Sequence, residues 1–222
     1  MIRSAVYSGS FNPLHIGHLA IMKYLVGEGG FDRLHLIVSP KNPLKDGISS
    51  ASGRERYQAA VEAVNRHFPP HADLAACGDN MPDTPRGWMR DVQTGCTGTS
   101  VTSKRQSVIV DDIELNMPEP HYTIRTLDAL KEREPDTSFT FVLGSDNLAD
   151  IRRWREYNRI LLEFGVAVYP RTGFDTEAVR QDLLKENPAY KIDIINAELV
   201  NISSSEIREK KASGQDVSGW LM

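Results

Sequence analysis

Cysteine is scarce in this chain: Cys77 and Cys96 are the only two. A disulfide framework is therefore excluded, and a reducing cytoplasm is the expected setting. No second Cys/His pair stands at ligand spacing beside them, so no metal centre is expected there. No apolar run approaches the roughly 20 residues of a membrane span. The opening MIRSAVYSGS is too short in apolar residues for a secretion signal. Charge of one sign is missing too: 26 Lys and Arg stand against 30 Asp and Glu, a net of -4. That excludes a nucleic-acid surface built on overall attraction, although a local basic pocket stays open. Neither a membrane nor a nucleic acid is an expected partner, and there is no internal repeat. With 222 residues the chain is long enough to bury a large core.

What is present is an alternation. IRSAVYS (2–8) reads as a short buried strand, followed by a helix with Leu19, Met22, Leu25 and Val26 on one face. RLHLIVSP (33–40) is a second strand. Ser52 and Glu55 form a capping box that opens a helix to about Phe68. Strands follow at 107–115, 138–146, 165–171 and 191–197, and helices at 122–134, 147–164, 175–187 and 204–212. Strand and helix in turn predict a doubly wound, Rossmann-like α/β fold. Its sheet is mostly parallel, with helices on both faces, in a single domain over 1–222. One segment breaks the rhythm: 77–106 is rich in Gly, Pro, Ser and Thr and has no sustained period. It reads as a loop insertion.

The stretch SGSFNPLHIGHLAIMKYL (8–25) puts His15 and His18 where a strand ends and a helix begins. In open α/β sheets, ligands gather beyond the carboxyl ends of the strands. Gly9 lets the backbone approach a ligand closely. The helix N-terminus beyond it offers unpaired N–H groups and a positive dipole end, which suit an anion. Residues three apart project from one side of a helix. Two imidazoles there can donate to phosphate oxygens and stabilise charge growing on a transferring phosphoryl group. For either histidine alone, buried packing is the plainer reading.

GSFNPLHIGH (9–18) resembles the G-x-F-x-P-x-H-x-G-H signature of the nucleotidyltransferase superfamily, and ISSSEIR (202–208) resembles its second signature, I-S-S-T-x-I-R, with Ser205 in place of Thr. Further segments resemble the bacterial nicotinate mononucleotide adenylyltransferases. They are PKNPLK (40–45), HYTIRTL (121–127), GSDNLADIRRW (144–154) and YPRTGF (169–174). His121 replaces a Ser and Thr172 a Pro of that pattern. The resemblance skips 77–106, and the segment after the last motif is short, ending GWLM.

The resemblance implies a cytoplasmic enzyme that joins ATP to nicotinate mononucleotide, giving deamido-NAD and pyrophosphate, with Mg²⁺ held mainly by the ATP phosphates. Its partners are then ATP and a pyridine mononucleotide, and a homo-oligomer stays open. Carried over residue by residue, His15, His18 and Arg208 serve catalysis. Gly9, Ser10, Phe11, Gly144, Asp146, Ile202, Ser203 and Ser204 complete the ATP site, Asp146 at the ribose. Asn42, Lys45, Tyr122, Thr123, Trp154 and Arg171 fall to the mononucleotide, with Trp154 either stacking on the pyridine or packing in the core. Arg54 and Arg56 read as surface charges, and Asp111 and Asp112 as strand-edge residues with no role. The alternatives are nicotinamide mononucleotide or phosphopantetheine as acceptor, a cytidylyltransferase, and a non-catalytic nucleotide-binding module.

Overall fold

The structure is a computed structural model and describes residues 1–40, 52–69, 107–197, 200 and 202–222. Asn42, Lys45 and the expected insertion at 77–106 lie outside the described residues.

Among these residues, six strands form one sheet: β1 (Ile2–Gly9), β2 (Arg33–Val38), β3 (Ser107–Asp111), β4 (Thr137–Gly144), β5 (Val166–Tyr169) and β6 (Ile192–Ile194). The order is β3-β2-β1-β4-β5-β6, and every pairing is parallel. The chain therefore winds outward from β1 in one direction and then from β4 in the other. The carboxyl ends of β1 and β4, side by side, form the switch point where such sheets hold ligands.

The helices cover both faces because strand residues alternate between two cores. Ala5 and Tyr7 of β1, Leu34 and Leu36 of β2, and Ala167 and Tyr169 of β5 face one cluster, built with Met22, Leu25 and Val64. Their neighbours Val6, Ile37, Phe141 and Val168 face the other, built with Ile124, Leu127 and Ile160. The first cluster takes α1 (Ile16–Val26) and α2 (Gly53–His67), and the second takes α4 (Thr123–Arg133). The Ser52/Glu55 capping box forms as expected at the start of α2. No helix among the described residues is long and apolar enough to cross a membrane.

Two expected elements take a different form. The strand expected at 107–115 stops at Asp111, whose carboxylate accepts the Ile113 N–H at 3.0 Å. That Asx turn ends the extended run and starts the short α3 (Ile113–Asn116). The helix expected at 147–164 is broken. It becomes α5 (Ser145–Ala149), a 3₁₀ turn (Ile151–Arg153), α6 (Tyr157–Arg159) and a π turn (Ile160–Phe164). Ile151 and Ile160 are both 0 % exposed in the same cluster. Nine residues of continuous α-helix make two and a half turns and would point them to opposite faces. Sharing a core forces the break, and Glu156 turns the chain with φ 53°.

The remaining helices are α7 (Thr176–Glu186) and α8 (Ser204–Ala212). After α8 the chain makes a 3₁₀ turn (Ser218–Trp220), and Leu221 forms an antiparallel bridge with His15.

Candidate active site

A cavity of about 660 Å³ opens at the switch point. One wall is the β1 exit: Gly9, Ser10 and Phe11, then His15 and His18 at the start of α1. The opposite wall is Ile202, Ser203, Ser204 and Arg208, and Arg171 of the β5 exit joins them. Residues from the two ends of the chain thus enclose one space.

The histidine pair is held by its own backbone. The Gly17 N–H donates to His15 Nδ1 at 3.2 Å, and the His15 N–H donates to His18 Nδ1 at 3.3 Å. This is a capping box built from two imidazoles. An Nδ1 that accepts a backbone N–H carries no proton, so each neutral ring keeps its hydrogen on Nε2. The rings lie 3.7 Å apart by centroid, and the edge of Phe11 meets His18 at 5.1 Å. Burial, aided by the nearby Arg171 charge, pulls His15 down to about 4, and it pulls His18 well below its ordinary value. Both side chains are therefore neutral donors near pH 7. Gly17 packs closely here: a Cβ would stand 3.1 Å from the His15 ring and 3.3 Å from the Val200 carbonyl.

The helix of the second signature is fastened to the first. Ser204 Oγ donates to the Pro13 carbonyl at 3.1 Å, and Arg208 donates to the Asn12 carbonyl at 2.6 Å. Ser203 caps α8: its Oγ accepts the Glu206 N–H at 3.2 Å, while the Glu206 carboxylate accepts the Ser203 N–H at 2.8 Å. Ser205, in place of the pattern's Thr, accepts a hydrogen bond from Arg208 at 3.0 Å.

Arg171 lies over the Tyr169 ring, 5.4 Å from its centroid, and its Nε faces Asp146 at 3.3 Å. Gly144 makes room for that pair. A Cβ on it would sit 2.4 Å from Asp146 Oδ1 and 2.8 Å from Arg171 Nε. Neither Gly144 nor Asp146 lines the cavity, but through Arg171 both stand directly behind its wall. Trp154, Tyr122 and Thr123 are not among the lining residues either. Trp154 is half-buried in the second core, edge to face with Phe141 at 5.9 Å. Tyr122 is exposed.

Two expectations are overturned nearby. Arg56 is not a surface charge: it is 4 % exposed and donates to three backbone carbonyls. Asp111 is not idle: it is buried, pairs with His35 at 3.1 Å and also with Arg133, and these partners hold its carboxyl well below the usual carboxylate range. Sequence reasoning also missed Glu114, buried among hydroxyls. Beside Asp111 and Asp112, nothing in the sequence singled it out.

Comparison with known proteins gives the family. The family model described as cytidylyltransferase-like matches residues 6–210. A Bacteroides fragilis protein is 32% identical over 99% of this chain and 87% of its own length; its name reads "Probable nicotinate-nucleotide adenylyltransferase". This chain belongs to the cytidylyltransferase-like family, on the nicotinate-nucleotide adenylyltransferase branch. A Flavobacterium johnsoniae relative of the same name is 29% identical over 99% of this chain and 92% of its own length. The fold is shared with a Plasmodium falciparum nicotinic acid mononucleotide adenylyltransferase solved in complex with NaAD. That match has a TM-score of 0.65 and 22% identity, covering 98% of this chain and 87% of the other. The members of this family are nucleotidyltransferases, and both signatures described above fall within or at the edge of the matched span.

Proposed function

We propose that this chain transfers the adenylyl group of ATP to nicotinate mononucleotide, forming deamido-NAD and pyrophosphate in NAD biosynthesis. One observation carries the reading. His15 and His18 from the first crossover, and Ser203, Ser204 and Arg208 from the last helix, line the same cavity. The choice of acceptor is supported by the names that the relatives carry.

An oxygen of the mononucleotide phosphate bonds to the α-phosphorus of ATP. The bond from that phosphorus to the bridging oxygen breaks, and its electron pair leaves with pyrophosphate. The attacking phosphate is already anionic near pH 7 and needs no general base. Catalysis then rests on alignment and on charge stabilisation. His18 donates its Nε2–H to the α-phosphate as charge shifts, and His15 does so to the triphosphate. As neutral donors they bind without first ionising in a buried place. Arg208 and Arg171 supply permanent positive charge. The N-termini of α1 and α8 add free N–H groups and favourable dipole ends.

Among the described residues, no three His, Cys, Asp or Glu side chains gather to hold a metal ion. A divalent cation such as Mg²⁺ would be held mainly by triphosphate oxygens and water, and when bound would supply charge neutralisation on the leaving group. In this reading Asp146, which pairs with Arg171 behind the cavity wall, serves the ribose. Steady-state pyrophosphate release with ATP and each candidate acceptor tests the reading. Nicotinate mononucleotide should give the highest kcat/KM; preference for phosphopantetheine, or release with no acceptor tried, would overturn it.

A further inference from the structure

Two buried charges behind the cavity hold its floor. We propose that Arg56 and Glu114 are positioning residues that fix the Ser8–Ser10 run, through Ser39, so that His15 and His18 meet the phosphates in register. The inference rests on the adenylyl-transfer reading.

Arg56 enters from the first turn of α2. Its guanidinium donates to the Ser10 carbonyl at 2.5 Å, the Ser39 carbonyl at 2.8 Å and the Pro40 carbonyl at 2.7 Å. Glu114 comes from α3 and is 4 % exposed. Its carboxylate accepts from Thr126 Oγ1 at 2.9 Å, from Ser8 Oγ at 3.4 Å and from Ser39 Oγ. Ser39 is gripped from both sides, its carbonyl by the cation and its hydroxyl by the anion. Its own N–H donates to the Gly9 carbonyl at 2.9 Å. Three consecutive residues that line the cavity are therefore each tied to this hub. Ser8 is held by Glu114, Gly9 by Ser39 and Ser10 by Arg56.

Stability alone does not account for the pair. Burying an ion costs several kcal/mol, and an apolar replacement of similar volume is often no less stable. No ion pair joins Arg56 to Glu114 among the described residues, so the two charges do not offset each other directly. A planar guanidinium reaching three carbonyls is what a fixed loop needs, and a lysine cannot reproduce it. The start of α2 is also tied to α3. Arg54 bonds Asp112 at 2.8 Å and Asn116 at 2.7 Å, and Leu115 Cδ2 stands 2.7 Å from where a Cβ on Gly53 would be. Arg56 also borders a space of about 350 Å³ lined by Phe11, Ala60 and Met222.

The test measures kcat, KM for ATP and thermal midpoint for wild type, Arg56→Lys, Arg56→Ala and Glu114→Gln. Losing an orienting contact behind a reacting group costs about 10–100-fold. Folded Arg56→Ala and Glu114→Gln should lose kcat by that factor. Free guanidinium, below denaturing concentration, should restore Arg56→Ala and leave wild type and Glu114→Gln unchanged. Variants within twofold of wild type, or a folded Arg56→Ala that guanidinium does not improve, would overturn the proposal. Should Arg56→Ala not fold, Arg56→Lys decides: about tenfold lower kcat supports it, and wild-type kcat refutes it. A wild type inactive with every mononucleotide would sink the functional reading instead. Affinity for a non-hydrolysable ATP analogue then decides this one, weakened about tenfold in Arg56→Lys and Glu114→Gln if the hub holds the loop, and unchanged if it does not.

Discussion

The cavity is framed by two helix N-termini closed by the same local device and put to different use. At α1 the capping box is His15 with His18; at α8 it is Ser203 with Glu206. In both, the N-cap side chain takes the N–H three residues on or nearby, and the later side chain reaches back to the N-cap N–H. An imidazole has two nitrogens, so capping with Nδ1 still leaves Nε2–H for a ligand. A serine and a carboxylate have no such second face: Ser203 also donates to Glu206 at 2.9 Å. The next residues of α8 are engaged too, with Ser204 on Pro13 and Arg208 on Asn12. The first helix therefore presents donors, while the second is a clamp that closes the site and offers its charge and backbone dipoles. A phosphate reaching Arg208 competes with a carbonyl; one reaching His18 does not.

That contrast can be broken first at its strongest point. Replacing His18 with Ala removes an unengaged donor, and kcat should fall about 100-fold or more in pyrophosphate-release assays; a few-fold loss would deny the imidazole its part. Arg208→Ala removes both charge and fastening. It should cost about 10–100-fold in kcat/KM, mostly as a higher KM for ATP. Gly144→Ala pushes a methyl between Asp146 and Arg171, so it should displace that pair and weaken ATP binding, with a small loss of thermal stability. Ser203→Ala loses only a cap, about 1 kcal/mol of stability, with kcat within a few-fold of wild type. A loss as large as that of His18→Ala would show that Ser203 touches substrate and that the clamp reading of α8 is wrong.

The histidine cap also makes stability depend on pH. His15 is lowered from its unfolded value to about 4. Its folded form resists protonation that the unfolded chain accepts. Stability should therefore be flat with respect to this group above pH 6.5 and fall as pH drops from about 6.5 towards 4. Imidazole NMR titration of the folded enzyme should show both rings neutral, with the proton on Nε2, between pH 6 and 8. An inflection for His15 or His18 near 6.5 would contradict the buried, neutral donor.

Much of this arrangement was legible beforehand, and for definable reasons. Alternating periodicities near 2 and 3.6 gave the doubly wound sheet, because a strand and a helix each write their burial into spacing. The two signatures located both walls, since Gly17, His18, Ser204 and Arg208 are each constrained by contacts that few other side chains can make. The S-x-x-E of Ser203 and Glu206 repeats the pattern of Ser52 and Glu55 but was not read as a cap, and an H-x-x-H cap has no such local signal. The broken helix near Trp154 was hidden because Ile151 and Ile160 share a core only through tertiary packing, which overrides good local helix formers. Arg56 and Glu114 were hidden for a similar reason. Their partners are backbone carbonyls and hydroxyls from distant segments, and nothing local distinguishes a buried arginine at the start of a helix from a solvated one.

The most direct measurement is a crystal structure with a non-hydrolysable ATP analogue. The α-phosphate should lie within hydrogen-bonding distance of His18 Nε2, with the outer phosphates between the N-termini of α1 and α8. Phosphates bound by only one of those two helices, or outside the cavity they share, would contradict it.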